Sequence, residues 1–157
     1  MSNVFFYLHI LGAVAAFGPG FAFPFIGIIA KKTPGSFPLV AKLGEALGKK
    51  LIIPMAVLVL VSGLGMVYTR EINLIKSPWL LAALLIFLGA LVISIGVQLP
   101  TGIKLARLAE QQTQPGPPPP EAMALISRQR MMGMILLFLF LVVLALMVFK
   151  PGGTTFI

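Results

Sequence analysis

The chain has 157 residues, 59% of them hydrophobic and only 10% charged, with a mean hydropathy of +1.04. A soluble domain has roughly a quarter of its residues charged, so this composition cannot cover a water-facing surface and calls for lipid as the solvent. The formal charge of +8 sits beside apolar runs, where basic residues set topology and meet anionic head groups rather than nucleic acid. The absence of cysteine excludes disulfides, zinc-finger sites and thiolate catalysis.

The first apolar run, about 3–30, is long enough to span a bilayer and contains Gly18-Pro19-Gly20 and Phe23-Pro24-Phe25. Proline removes a backbone donor and crowds the preceding turn, so a kink is expected near Pro19 or Pro24. The run lacks a basic leader and a small-residue cleavage pattern, and is expected to stay as a helix. Lys31-Lys32 closes it, and Thr33-Pro34-Gly35-Ser36 reads as a turn. Phe37, Val40, Leu43 and Leu47 then recur at helical spacing with Lys42, Glu45, Lys49 and Lys50 on other faces. A short amphipathic helix of about 37–50, lying in the interface, is expected.

The second span is expected at about 51–69, with Pro54 tolerated in its first turn. Arg70 to Pro78 is a short loop, and Trp79 opens a third span of about 79–103, as an interfacial tryptophan would. Pro100 is expected to bend its far end, and helical character continues from Lys104 to Glu110. The stretch 111–120, with Pro117 to Pro120 in a row, reads as an extended linker. Helix resumes near Glu121, a fourth span is expected at about 131–149, and Lys150-Pro151-Gly152-Gly153 stops it. No internal repeat points to an inverted-repeat transporter. The expected fold is thus all-α, an antiparallel four-helix membrane bundle forming a single domain.

Lys31, Lys32, Lys42, Lys49, Lys50, Lys104, Arg107, Arg128 and Arg130 fall in the first and third loops, against Arg70, Lys76 and Lys150 elsewhere. The positive-inside rule then places loops one and three in the cytoplasm and both termini outside, in an inner (plasma) membrane.

His9 is the one histidine. On a helix it shares a face with Gly12 or Ala13, Ala16, Gly20 and Phe23, and the ladder Gly12, Ala16, Gly20 lets another helix approach closely. His9 is therefore expected to point into the bundle. It reads first as an interhelical hydrogen bond, and otherwise as a haem ligand or a proton acceptor near a quinone. Met66 could serve as a second axial ligand but fits packing better, and Met131, Met132 and Met134 read as packing rather than a copper site. No metal site is expected. Gly63 is a further packing position, and Ser94, Gln98 and Thr101 fall on one face of the third span, where they bond across helices or line a polar cavity. Aspartate is absent, and Glu45, Glu71, Glu110 and Glu121 all lie outside the spans, so paired-carboxylate chemistry has no support. A Ser–His–Glu set would need Glu71 beside His9 with Ser62 or Thr69.

Several stretches carry a family likeness: Tyr7-Leu8-His9-Ile10-Leu11-Gly12-Ala13, Ser62-Gly63-Leu64-Gly65, Ser77-Pro78-Trp79-Leu80-Leu81-Ala82 and Met147-Val148-Phe149-Lys150-Pro151. Over most of its length the chain resembles the predicted bacterial integral membrane proteins of domain-of-unknown-function family 2269. The resemblance implies four helices and bacterial origin, and brings no assigned activity. Leu8 to Gly12 also resembles the first helix of four-helix membrane proteins that hold haem through a histidine there.

Three functional expectations follow. The first is a non-enzymatic accessory, assembly or stabilising subunit, with membrane lipids and other membrane subunits or further copies of itself as partners. The second is a redox protein using His9 for haem or quinone. The third is an oligomeric small-solute transporter with Ser94, Gln98 and Thr101 facing a pore.

Overall fold

The structure is a computed structural model that describes residues 2–112 and 116–152. Residues 113–115 of the expected linker, and Gly153, lie outside the described residues. Among the described residues, four helices are long and apolar enough to cross a membrane: Asn3–Lys32, Phe37–Thr69, Pro78–Gln111 and Pro120–Phe149. Among the described residues there are no strands. The protein is an all-helical integral membrane protein.

The first span is α1 (Ser2–Lys32), which stays α-helical through Pro19 and Pro24. A tight turn follows. Gly35 takes φ +76°, a conformation that L side chains resist, while Thr33 Oγ1 donates to Ile29 O and Ser36 Oγ donates to Ala30 O, each at 3.0 Å. These hydroxyls add donors to the last carbonyls of α1, Ala30 O also accepting from the Thr33 N–H at 3.3 Å.

Next come α2 (Phe37–Leu47) and α3 (Ile53–Thr69), joined by a five-residue π turn, Gly48–Ile52. The same device recurs in the third span, where α4 (Pro78–Ile93) and α5 (Leu99–Gln111) are joined by the π turn Ser94–Gln98. Each π turn ends two residues before a proline, Pro54 or Pro100. The cause is local. Proline offers no N–H and its ring collides with the carbonyl four residues back. Widening the turn relieves the collision, and the residue before the proline donates five back instead: Ile53 N–H to Gly48 O, and Leu99 N–H to Ser94 O.

Sequence and structure part here. The expected interfacial helix of about 37–50 is not separate from the second span. The helix runs unbroken from Phe37 to Thr69, 33 residues or about 50 Å at 1.5 Å per residue. That exceeds the ~30 Å hydrocarbon thickness by several turns. Phe37 is buried against Leu105, Ala109 and Ala122, with Ala41, Leu108 and Leu125 packed around them. The apolar stripe of α2 thus meets α5 and the start of α6 (Pro120–Phe149).

Two cores result. Ala16, Ala56, Val59 and Phe87 form one within the spans, bordered by Ala13, Phe17, Met55, Leu60 and Leu91. The cluster around Phe37 and Leu105 forms the other, at the basic end, flanked by the exposed ion pairs Lys42–Glu110 at 3.7 Å and Lys104–Glu121 at 2.7 Å. Within the spans, α1 packs most extensively on α3, and α4 on α6. Phe17 links the pairs: its ring stacks on Phe140 at 3.9 Å and meets Phe87 edge-on at 6.3 Å. At the opposite end Lys150 caps α6 in the left-handed region and holds its Nζ 5.9 Å from the Trp79 ring.

Candidate functional site

The α1–α3 seam is built from glycines that bring backbone within reach of side chains. A Cβ on Gly12 would stand 3.0 Å from Val59 Cγ2 and 3.2 Å from the carbonyl oxygen of Met55. A Cβ on Gly63 would stand 3.1 Å from His9 Cε1, and one on Gly65 would sit 2.7 Å from the Phe5 ring. Ala16 continues the close approach, only 3% exposed. Gly20, the next step of the ladder, has turned away from α3 and meets Leu137 of α6 instead.

His9 lies in this cleft, half-buried. Its Nδ1 is 2.9 Å from the carbonyl oxygen of Val59. A carbonyl can only accept, so Nδ1 carries the proton and donates. Ser62, 1% exposed, directs its hydroxyl hydrogen to Leu58 O at 2.6 Å, which leaves an Oγ lone pair 3.3 Å from His9 Nδ1. The Nδ1–H is thus shared between Val59 O and Ser62 Oγ. In the neutral ring this tautomer makes Nε2 the lone-pair nitrogen, on the edge away from Val59. A histidine anchored through Nδ1–H to a backbone carbonyl is oriented as metal-ligating histidines are, and its Nε2 can accept a hydrogen bond or donate to a metal. Met66 stands one turn beyond Ser62 on α3 and is half-buried.

A second polar contact lies between the π turn Ser94–Gln98 with α5 on one side and α6 on the other. Gln98 Nε2 donates to Gln129 O at 3.3 Å. Two glycines make the room: a Cβ on Gly133 would stand 3.3 Å from Gln98 Nε2, and one on Gly102 would stand 3.6 Å from Gln129 Nε2. Both amide oxygens, Gln98 Oε1 and Gln129 Oε1, are buried without a donor. Thr101 donates to Val97 O of its own helix at 2.6 Å. A π turn carries an extra residue, so it offsets by about 100° the phase that a uniform helix would give Ser94 and Thr101.

Among the described residues, no three of His, Cys, Asp and Glu gather as metal ligands would. Sequence reasoning passed over Val59 O and Gln129, and set Ser62 beside His9 only as one arm of a Ser–His–Glu set. The spacing of Ala56, Val59, Ser62 and Gly63 on α3 marks one helix face and was the available signal for Val59 and Ser62. Gln129, between Arg128 and Arg130, carries no such signal.

The family described as predicted integral membrane protein, domain of unknown function 2269, matches residues 3–151. Neither a curated protein nor a solved structure matches the chain.

Proposed function

The chain belongs to that family of predicted integral membrane proteins, and we propose that it works as a non-enzymatic accessory subunit that docks through its spans into a larger membrane assembly. The observation that carries this reading is how its glycines divide. Gly12, Gly63, Gly65, Gly102 and Gly133 face other helices of the same chain. Gly18, Gly27, Gly89 and Gly96 are exposed, with open space where a Cβ would stand. In lipid, where apolar contact alone does not drive association, helices associate through small residues that let backbones approach. Outward-facing glycines on α1, α4 and the π turn after it suit a second set of helices from another chain.

The sidedness that goes with this reading puts loops one and three in the cytoplasm of an inner (plasma) membrane and both termini outside, with neighbouring spans antiparallel. The nine basic residues counted above support it. Extraction from native membranes in a mild detergent tests the subunit reading. Co-purifying chains at defined stoichiometry are expected, and an isolated monomer contradicts it.

The tautomer of His9 favours a second reading, in which Nε2 ligates haem iron or accepts a hydrogen bond from a quinol. A visible spectrum of the purified chain, oxidised and then dithionite-reduced, decides it. A Soret band stoichiometric with the chain and lost in His9→Ala supports a haem ligand. For a quinol, extraction with organic solvent should release a quinone from the wild type and not from His9→Ala. A colourless, quinone-free preparation returns His9 to packing.

A further inference from the structure

We propose that the outer face of α5 at the basic end binds the headgroup of an anionic phospholipid of the surrounding bilayer. A groove of about 430 Å³ opens there, lined by Pro100, Ile103, Lys104, Arg107, Leu108 and Gln111. These residues follow one another at helical spacing, so they form one continuous face. The character of that face changes along the helix. Pro100 and Ile103, nearer the apolar span, offer contact to acyl chains, and Lys104, Arg107 and Gln111 follow with cationic and amide groups. That order matches the passage from hydrocarbon to headgroup.

Charge complementarity selects the occupant. At this end of the molecule nine Lys and Arg residues face three carboxylates, Glu45, Glu110 and Glu121. Glu110 is turned toward Lys42 on α2, and Glu121 toward Lys104. Arg107 is exposed, and its guanidinium fork matches two phosphate oxygens at once. Lys104 and Glu121 are more than half exposed, at 56% and 58%, so their ion pair is weakly held and Lys104 Nζ can turn to a phosphate one helical turn from Arg107. A soluble anion would use the basic half of the groove and leave Pro100 and Ile103 idle, whereas a phospholipid uses both halves.

The full-length chain in a non-ionic detergent, titrated with short-chain phosphatidylglycerol while thermal unfolding is followed, tests the proposal. Phosphatidylglycerol should raise the unfolding midpoint, and phosphatidylcholine of the same chain length should not. Arg107→Gln should keep the lipid-free midpoint, because the side chain is exposed, and weaken the apparent affinity about fivefold. Arg128→Gln, exposed on α6 and outside the groove, should change it less than about twofold. Equal loss in both variants would make the effect diffuse surface charge and overturn the site. So would an unchanged response in Arg107→Gln, an equal shift with inorganic phosphate, or a shift with an acidic peptide but not with the lipid.

Discussion

The contact of His9 with α3 and the contact of Gln98 with α6 are both polar bridges between helices, and they are built differently. At the α1–α3 seam, His9 donates to Val59 O, Ser62 donates to Leu58 O, and each short side chain meets a carbonyl close by. Between the second π turn and α6, Gln98 makes one bond of 3.3 Å while two amide oxygens stay buried without donors. The first contact is satisfied because Gly12, Gly63 and Gly65 let two backbones come together. The second sits where Gly102 and Gly133 leave room for two longer side chains that do not satisfy each other. Satisfied polar groups fix a single arrangement, whereas half-satisfied ones cost stability. The α1–α3 seam should therefore be the rigid half of the bundle and the α5–α6 contact the weaker one.

Substitutions ranked by expected effect can break or sharpen that contrast. Gly12→Leu should be the most damaging, because the new side chain meets the Met55 carbonyl, which cannot swing aside; a loss of about 3 kcal/mol in reversible unfolding from detergent is expected. His9→Leu removes one donor from Val59 O and should cost about 0.6 kcal/mol, and no more than about 1.7 kcal/mol. The double change Gln98→Leu with Gln129→Leu removes both orphaned oxygens and should leave stability unchanged or raise it; a loss as large as that from His9→Leu would erase the contrast. Lys42→Ala should be the mildest, within about 0.5 kcal/mol, since its ion pair with Glu110 is exposed.

Hydropathy alone made the four spans legible, because a 20-residue apolar run has few other uses. The inward direction of His9 was legible too, since Gly12 and Ala16 mark its face. The continuity of α2 with α3 was not. Pro54 reads as the first turn of a new helix, and nothing in the residue types announces that a π turn will carry the chain past it. The same turn type before Pro100 disturbs the expected stripe of Ser94, Gln98 and Thr101: Gln98 reaches α6 while Thr101 bonds its own helix. Gly20 illustrates a third limit. The ladder Gly12, Ala16, Gly20 implies one partner helix, but α1 crosses between two, and Gly20 lies beyond the crossing on α6. Periodicity identifies a face and leaves open which neighbour covers it at each level.

The subunit reading rests on glycines that face outward, and a substitution there separates docking from folding. A Cβ on Gly89 would meet nothing within 4 Å in its own chain and the position is exposed, so the isolated fold of Gly89→Leu should unfold at the wild-type midpoint. The decisive measurement is the mass and composition of the complex extracted in mild detergent from membranes carrying wild type or Gly89→Leu. The account predicts a larger assembly with co-purifying chains for the wild type, and their loss with an unchanged midpoint for the variant. A wild type that runs alone, or a variant that keeps every partner, would contradict it.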